Sequence, residues 1–223
     1  ERDIVIDTAS RVTSVLDIGC AAGGFSAIFH ELNSNIKYTG VDVSSEMINS
    51  AKRLYPDDNF HVTDGENLDF PDSSFELVFC TGMLVHQPNF LTLIKEMVRI
   101  SSKYIIVDMP RLVSCNDEVA IKTSYQLLDK RFPLKTYEFD GKTNAQQVYY
   151  VIHNFGDAFH GIFNGMDQPI SEFRAHGYWG QPSKSVYTPI LPLLFCVIRL
   201  TKGNENSKLS YSLNLPNEIN NEM

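Results

Sequence analysis

A run of small residues, GCAAGG, follows the apolar stretch VLDI near the beginning of the sequence. The run spans Gly19 to Gly24, and a helical pattern begins at Phe25, so the chain passes from a strand through a tight turn into a helix. Small residues at such a turn let the backbone approach a ligand closely. We therefore expect the turn to hold a cofactor.

The run fits two patterns that imply different ligands. Read as G-x-G-x-x-G, it places Gly19, Ala21 and Gly24 in a dinucleotide fingerprint with one substitution. Read as D-x-G-x-G-x-G, it uses Asp17 and Gly23 with the first two of these residues. A carboxylate here disfavours a pyrophosphate and suits an ammonium group, such as that of S-adenosylmethionine. Alternatively, Asp17 only caps N–H groups of its own turn.

A second acidic residue, Asp42, ends the next predicted strand in YTGVDVSSEMI. A carboxylate at this position can accept hydrogen bonds from both hydroxyls of a ribose. NAD sites and S-adenosylmethionine sites share this feature, so Asp42 indicates adenosine recognition without separating the two. The alternative role is a helix cap, although Ser44 can already serve as one.

Short apolar runs alternate with helical patterns from Val12 to Met109, which is typical of a parallel sheet flanked by helices. The predicted strands are Ser14–Ile18, Tyr38–Asp42, Phe60–Thr63, Phe75–Cys80 and Tyr104–Asp108. The helices between them carry apolar stripes that we assign to the core: Phe25, Ile28, Phe29 and Leu32; Met47, Ile48, Ala51 and Leu54; Phe90, Leu91, Ile94, Met97 and Val98.

The alternation of short apolar runs with helical patterns ends at Pro110. We predict a helix near Glu118–Leu128 and then an aromatic-rich stretch that forms a lid over the carboxyl ends of the strands. The aromatic side chains of this stretch could contact the substrate or could pack into a small core of the lid itself. A short helix is predicted at Ser171–His176, followed by a hairpin of apolar strands that closes the sheet near Leu200. The expected organisation is one domain over residues 1–203 with a lid insertion at about 111–169, and a loosely held C-terminal tail over 204–223.

The segment VTDGENLDFPDSSFELVFCTGMLVHQPN, residues 62–89, carries the most specific pattern. With the glycine run and Asp42, it resembles the class I S-adenosylmethionine-dependent methyltransferases, in particular the methyltransferase type 11 group that is similar to quinone-biosynthesis methyltransferases. The resemblance covers roughly Val15–Pro110, extends weakly to Ile170–Tyr178 and the hairpin, and leaves Arg111–Pro169 unmatched. It implies an α/β fold with a Rossmann-like, seven-stranded, mostly parallel sheet, helices on both faces, an antiparallel last strand and an inserted lid.

The resemblance also implies how the cofactor S-adenosyl-L-methionine is held. Asp64 would bind the adenine amino group, with Gly65 and Glu66 beside the ring, and the residues from Cys80 to Leu84 would line the cofactor and lead to the substrate. The full predicted cofactor set is Asp17, Gly19, Cys20, Ala21, Gly23, Asp42, Val43, Met47, Asp64, Gly65, Glu66, Cys80, Thr81 and Gly82. Ala21 replaces the commoner glycine of the family, and we expect it to be tolerated because alanine costs little where φ is negative.

Methyl transfer from this cofactor needs alignment and the exclusion of water but no covalent nucleophile. A general base is needed only if the acceptor loses a proton. The candidates are His86, Tyr150 and His153, with Tyr149 and His160 as further choices. In GMLVHQP, His86 could equally bond to the following loop. The aromatic lid favours a small-molecule acceptor that is aromatic, lipid or sugar, and O-, N- and C-methylation all stay open.

The composition narrows the remaining classes. The chain has 223 residues, 43% of them hydrophobic, which suffices for one large core. A formal charge of -8 without any basic run disfavours nucleic acid as a partner. Scattered cysteines predict free thiols in a cytoplasmic protein, and the histidine spacing predicts no metal site. The apolar run Pro189–Leu200 is shorter than the ~20 residues of a membrane-spanning helix.

Three alternative functions follow from the same residues. An NAD-dependent oxidoreductase would use the dinucleotide register and Asp42, but it leaves Asp17 and the DGENLDF loop unexplained. A non-catalytic S-adenosylmethionine-binding regulator would keep the cofactor site and lack a usable acceptor site. An RNA methyltransferase is opposed by the charge.

Overall fold

A computed structural model describes residues 2–63, 68–84, 90–113, 120–127, 136–139, 142–154, 169–179 and 194–216. The helices in these ranges are α1 (Arg2–Ala9), α2 (Gly24–Leu32), α3 (Ser45–Leu54) and α4 (Phe90–Ile100). The strands are β1 (Ser14–Ile18), β2 (Lys37–Asp42), β3 (Asn59–Val62), β4 (Phe75–Cys80), β5 (Ser101–Val113), β6 (Ala120–Leu127), β7 (Thr136–Phe139), β8 (Lys142–Asn154), β9 (Ile170–Trp179), β10 (Leu194–Lys202) and β11 (Ser210–Asn214).

The main sheet has the strand order β11-β9-β10-β5-β4-β1-β2-β3. Strands β1 to β5 run parallel to one another, whereas β10 runs antiparallel between β5 and β9. The prediction of a mostly parallel sheet with an antiparallel last strand is therefore confirmed. The order reverses between β1 and β4, and the carboxyl ends of strands at such a reversal are where open α/β sheets bind ligands.

Helices cover both faces of the sheet, as predicted. One core cluster contains Ile94 and Met97 of α4, and the other contains Phe29 of α2 and Ile48 of α3. Because both faces are covered, β1 is buried along almost its whole length. The apolar stripes are right for most positions, but Ile28 and Leu54 are 45% and 63% exposed because the buried faces of α2 and α3 are narrower than predicted.

Two helix predictions are wrong, because both segments alternate with a period of two. Residues 118–128 were expected to be helical, yet Ala120–Leu127 form β6, in which β-forming side chains recur at every second position. Strand β6 pairs antiparallel with β8, which also pairs with β7 and meets β5 at Leu112 and His153. The predicted helix at Ser171–His176 lies within β9, where Phe173 and Ala175 both point into the core.

The described part of the predicted loose tail is also ordered as a strand. Residues 210–214 form β11, which pairs parallel with β9 and adds an eighth strand to the seven predicted. Leu215 is buried in the core, and Leu209 and Leu213 pack against it. An apolar residue at alternate positions was the signal for this strand.

The first helix is tied to the far end of the sequence by one arginine. Arg199 of β10 is 4% exposed and donates hydrogen bonds to Asp7 of α1 at 2.6 Å and to Glu172 of β9 at 2.7 Å. These bonds join residues that are 192 and 27 positions apart. Both partners carry charge, which suits a guanidinium that is almost completely buried.

Candidate cofactor site

The backbone of the glycine turn selects one of its two registers. Positive φ angles recur at every second residue: +80° at Gly19, +48° at Ala21 and +81° at Gly23. A Cβ on Gly23 would lie 3.0 Å from ring atoms of Phe60 and Tyr55, so this residue is confined by space as well. A Cβ on Gly24 would meet nothing within 4 Å, whereas the last glycine of a dinucleotide fingerprint serves close helix–strand packing. The register that begins at Asp17 therefore describes the turn.

Ala21 corrects one expectation, because its φ is positive rather than negative. A left-handed conformation costs a residue with a Cβ ~1–2 kcal/mol. The N–H of Ala21 donates a 2.9 Å hydrogen bond to Oδ2 of Asp42, and the N–H of Gly23 donates one of 2.8 Å to the carbonyl of Cys20. These bonds hold the turn in a shape that alanine disfavours.

Asp42 connects the turn after β1 to the turn after β2. Its Oδ1 accepts a 2.8 Å hydrogen bond from the N–H of Ser44, while its Oδ2 accepts the bond from Ala21. Ser44 in turn caps α3, with its Oγ accepting from the N–H of Met47 at 3.3 Å. A carboxylate has about four acceptor sites. The two backbone bonds therefore leave acceptor capacity on Asp42, which is partly exposed.

Asp17 lies beneath the turn in the core. Asp17 is only 1% exposed, and its Oδ2 accepts a hydrogen bond from the hydroxyl of Tyr38. Burial raises the pKa of the Asp17 carboxyl to about 7, although the bond from Tyr38 works in the opposite direction. The thiol of Cys20 is close by, and burial raises its pKa as well. These groups support the turn from the α2 side of the sheet.

The loop after β4 approaches the glycine turn from the neighbouring strand. Gly82 has a φ of +73°, and its N–H donates a 2.7 Å hydrogen bond to Oδ1 of Asp108 on β5. A Cβ on Gly19 would lie 3.0 Å from Sδ of Met83, so this loop packs directly on the turn. Cys80 is fully buried at the end of β4, and burial raises the pKa of its thiol.

Sequence reasoning missed Asp108. It ends a strand that the sequence did predict, and that strand lies beside β4. An acidic residue at the carboxyl end of a strand adjacent to the ligand-binding reversal was the available signal.

An apolar surface lies beside Asp42. Val43 is 63% exposed and Val62, which pairs with Asp42 in the β2–β3 register, is 53% exposed. Met47 of α3 is partly buried nearby in the chain. Two exposed valines at the carboxyl ends of neighbouring strands offer apolar surface at the edge where a ligand would bind.

The segment that follows the predicted adenine residues is held by α4. The guanidinium of Arg99 uses its five N–H groups on the carbonyls of Leu68 and Phe70 and the carboxylates of Asp72 and Glu96. Glu96 also accepts the N–H of Leu68 at 3.1 Å. The side chains of one helical turn thus fix the backbone of residues 68–72.

Several predicted residues are not tested by the geometry. Asp64, Gly65, Glu66 and His86 lie outside the described residues. The backbones of Tyr150 and His153 lie on β8, with His153 opposite Leu112 in the pairing with β5. Thr81, also predicted to bind the cofactor, is partly exposed just after β4.

The described part of the chain contains no cluster of three or more His, Cys, Asp or Glu residues arranged to hold a metal ion. Within the same ranges, each helix is too short or too polar to cross a membrane. The backbone at Gly24 and Gly82 borders open space, because a Cβ added to either residue would meet no atom within 4 Å. The cradle of positive-φ residues and this space fit the predicted cofactor.

Known proteins resemble part of this chain in sequence. Residues 16–103 match the family described as a methyltransferase domain. The 2-methyl-6-phytyl-1,4-hydroquinone methyltransferase of Synechocystis is 35% identical over 98 residues, which make up 43% of this chain and 30% of that protein. The chain thus matches less than a third of the length of this relative.

Solved structures resemble the chain over most of its length. An S-adenosylmethionine-dependent methyltransferase from Methanosarcina mazei has a TM-score of 0.61 at 16% identity, covering 91% of this chain and 98% of that one. The N-terminal domain of EvdMO1, solved in the presence of SAH and D-fucose, has a TM-score of 0.60 at 16% identity, covering 91% and 81%. At these identities the likeness concerns the fold. Residues 16–103 are thus similar in sequence to a methyltransferase domain, and the chain as a whole shares the fold of S-adenosylmethionine-dependent methyltransferases.

Proposed function

We propose that this protein catalyses the transfer of a methyl group from S-adenosylmethionine to a small-molecule acceptor. The observation that carries the proposal is the alternation of positive φ at Gly19, Ala21 and Gly23. This backbone follows the register that begins at Asp17 and departs from the register of a dinucleotide fingerprint. The family match supports the same cofactor.

The adenosine half of the cofactor would lie over the ends of β2 and β3. Asp42 would accept hydrogen bonds from the ribose hydroxyls while it keeps its bonds to Ala21 and Ser44. Val43 and Val62 would cover one side of the adenine, which explains why two valines are exposed there. Asp64 keeps its predicted role at the adenine amino group, and Gly65 and Glu66 keep theirs beside the ring.

The methionine half would lie over the glycine turn and the loop after β4. The open space at Gly24 and Gly82 provides room for it, and Met83 brings the two loops into contact. Asp17 supports this turn from below, because its carboxyl is buried against Tyr38.

The cofactor supplies a methyl group on a sulfonium, and the acceptor atom forms its bond to that carbon in line as the sulfur–carbon bond breaks. The protein has to align the acceptor and exclude water, and orientation of this kind can supply ~7–11 kcal/mol. Where the acceptor carries a proton, His86, Tyr150 or His153 would take it. The strands β6, β7 and β8 belong to the predicted lid over residues 111–169, from which two of these three residues come.

A small-molecule acceptor is supported by the net charge and by the names of similar proteins. A hydroquinone methyltransferase and a domain solved with D-fucose are both similar to this chain, and a charge of -8 opposes binding to nucleic acid. Aromatic, lipid and sugar acceptors are the classes that we propose to screen.

Calorimetric titration of the protein with S-adenosylmethionine, S-adenosylhomocysteine and NAD tests the proposal. We expect micromolar binding of the first two ligands and none of NAD. Asp42→Ala should weaken both adenosyl ligands by at least tenfold, since each hydrogen bond to a charged group contributes ~1.5–3 kcal/mol. Asp57→Ala, at an exposed position before β3, is the matched control and should bind normally. Binding of NAD alone would refute the proposed cofactor.

Turnover is tested separately. Tritium from labelled S-adenosylmethionine is followed into panels of phenolic, lipid and sugar acceptors. Labelled product from one panel supports the enzyme, whereas tight cofactor binding without transfer to any panel favours the non-catalytic regulator.

A further inference from the structure

Asp108 is an acidic residue at the carboxyl edge of the sheet, and the proposed function gives it no role. Asp108 directly follows Val107, the last residue of β5 that pairs with β4, and its Oδ1 accepts a hydrogen bond from the N–H of Gly82 at 2.7 Å. Its carboxylate is partly exposed, unlike that of Asp17, which is buried against Tyr38. Asp108 also lies close enough to Cys80 to help raise the pKa of that thiol.

The hydrogen bond between Gly82 and Asp108 holds the loop after β4, which contacts the glycine turn. Gly82 has a left-handed φ of +73°, which leaves its N–H pointing at the carboxylate of the next strand. The following residue, Met83, packs on Gly19, so a displaced Gly82 would also move the wall of the turn. Asp108 thus holds Gly82, and the next residue, Met83, contacts Gly19 of the turn.

The order of the strands places Asp108 on a defined side of the ligand. Asp42 and the exposed valines lie on the β2–β3 side of the reversal between β1 and β4, and Asp108 lies on the β4–β5 side. If the adenosine half occupies the first side, the sulfonium half faces the second. A carboxylate within several ångströms of a cation is stabilising, and its effect grows where water is excluded.

We infer that Asp108 is a positioning residue of the methyl-donor site, which fixes the loop at Gly82 and directs negative charge toward the cationic end of the donor. The inference rests on the proposed function. It gives Asp108 a role toward the sulfonium, whereas the sequence suggested Asp17 for the ammonium group of the ligand, and the carboxyl of Asp17 is buried.

A comparison of two ligands separates charge from structure. S-adenosylmethionine carries a sulfonium, and S-adenosylhomocysteine has an uncharged thioether in its place. Asp108→Asn keeps an oxygen that can accept the Gly82 N–H but removes the charge. We expect Asp108→Asn to weaken the binding of S-adenosylmethionine by about tenfold at low ionic strength and that of S-adenosylhomocysteine by less than about twofold. Asp108→Ala also loses the acceptor and should weaken both ligands.

The controls keep the outcomes distinct. Asp57→Asn changes the net charge by the same amount as Asp108→Asn, but at the amino-terminal end of β3. It should leave the ratio of the two affinities unchanged. Should Asp108→Asn fail to fold, Asp108→Ser provides an uncharged acceptor for the same comparison. Equal effects of the uncharged variant on both ligands, or no effect on either, would overturn the inference while the wild-type protein still bound them. A wild-type protein that binds neither ligand would instead refute the proposed function.

Discussion

The backbone N–H of Ala21 donates a 2.9 Å hydrogen bond to the carboxylate of Asp42, 21 residues further along the chain. This bond joins the turn after β1 to the turn after β2 at the edge where the cofactor is proposed to bind. It also holds an alanine at a φ of +48°, where glycine is the favoured residue.

Replacing this alanine by glycine should stabilise the protein. Ala21→Gly removes a left-handed penalty of ~1–2 kcal/mol and adds an entropic cost of ~0.5–1 kcal/mol, so we expect a gain of about 0.5–1 kcal/mol in the free energy of unfolding. Ala22→Gly is the matched control, because Ala22 does not have a positive φ and should lose stability. Urea denaturation measures both, and a loss at position 21 equal to that at 22 would contradict the assigned backbone.

The buried carboxyl of Asp17 predicts a specific dependence of stability on pH. Its pKa is about 7 in the folded protein and near the ordinary value of 3.8 when the chain is unfolded, so the folded state retains a proton between about pH 4 and 7. The free energy of unfolding should therefore fall as pH rises through this window, by at most ~1.36 kcal/mol per unit from this group. Asp17→Asn cannot titrate but can still accept the Tyr38 hydroxyl.

Urea denaturation of the wild type and Asp17→Asn at pH 4.5, 5.5, 6.5 and 7.5 tests this expectation, with the pH values chosen at about one-unit steps across the window. The variant should gain stability relative to the wild type as pH rises. Asp57→Asn, which removes an exposed carboxylate, is the control and should show no such trend. A difference between Asp17→Asn and the wild type that stays constant with pH would argue against a raised pKa.

The guanidinium geometry of Arg99 should matter more than its charge. Arg99→Lys keeps the positive charge but cannot reach both backbone carbonyls and both carboxylates that the planar fork contacts. We expect a loss of about 2 kcal/mol in the free energy of unfolding. Lys103→Met breaks the exposed ion pair with Glu76 and should cost less than ~1 kcal/mol. Comparable losses for the two variants would show that the fork adds nothing.

Two glycines near the turn should respond oppositely to alanine. A Cβ on Gly40 would lie 2.7 Å from Sγ of Cys20 and 2.8 Å from Cδ1 of Phe60, so Gly40→Ala should cost about 1–3 kcal/mol. Gly24→Ala places its methyl group in open space at the first position of α2 and should raise stability without ligand by about 0.5–1 kcal/mol. Thermal unfolding of the free protein checks both, and a stabilised Gly40→Ala would contradict the packing of β2.

The sequence predicted the parallel part of the fold because its strands are short apolar runs between helical patterns. The bounds of β1 and β4 were predicted to the residue. The strands β6 and β9 were mistaken for helices because short segments with mixed polar and apolar residues fit both periods, and only pairing with a neighbour decides between them.

In the site, too, local features could be predicted from the sequence and long-range contacts could not. The small residues of the turn and Asp42 are visible in the sequence because the turn chemistry is local. The left-handed φ of Ala21 and the bond between Gly82 and Asp108 depend on strands that lie far apart in the chain, so no local pattern reveals them.

The bond between Asp7 and Arg199 has a consequence for protein synthesis. At ~5–20 residues per second, a ribosome needs about 10–40 s to add the 192 residues that separate the two partners. During that interval α1 lacks its buried guanidinium, and the β5 edge lacks β10 along most of its length. Chains released before Arg199 would present this edge to other chains, so premature termination should yield aggregates rather than a smaller folded domain.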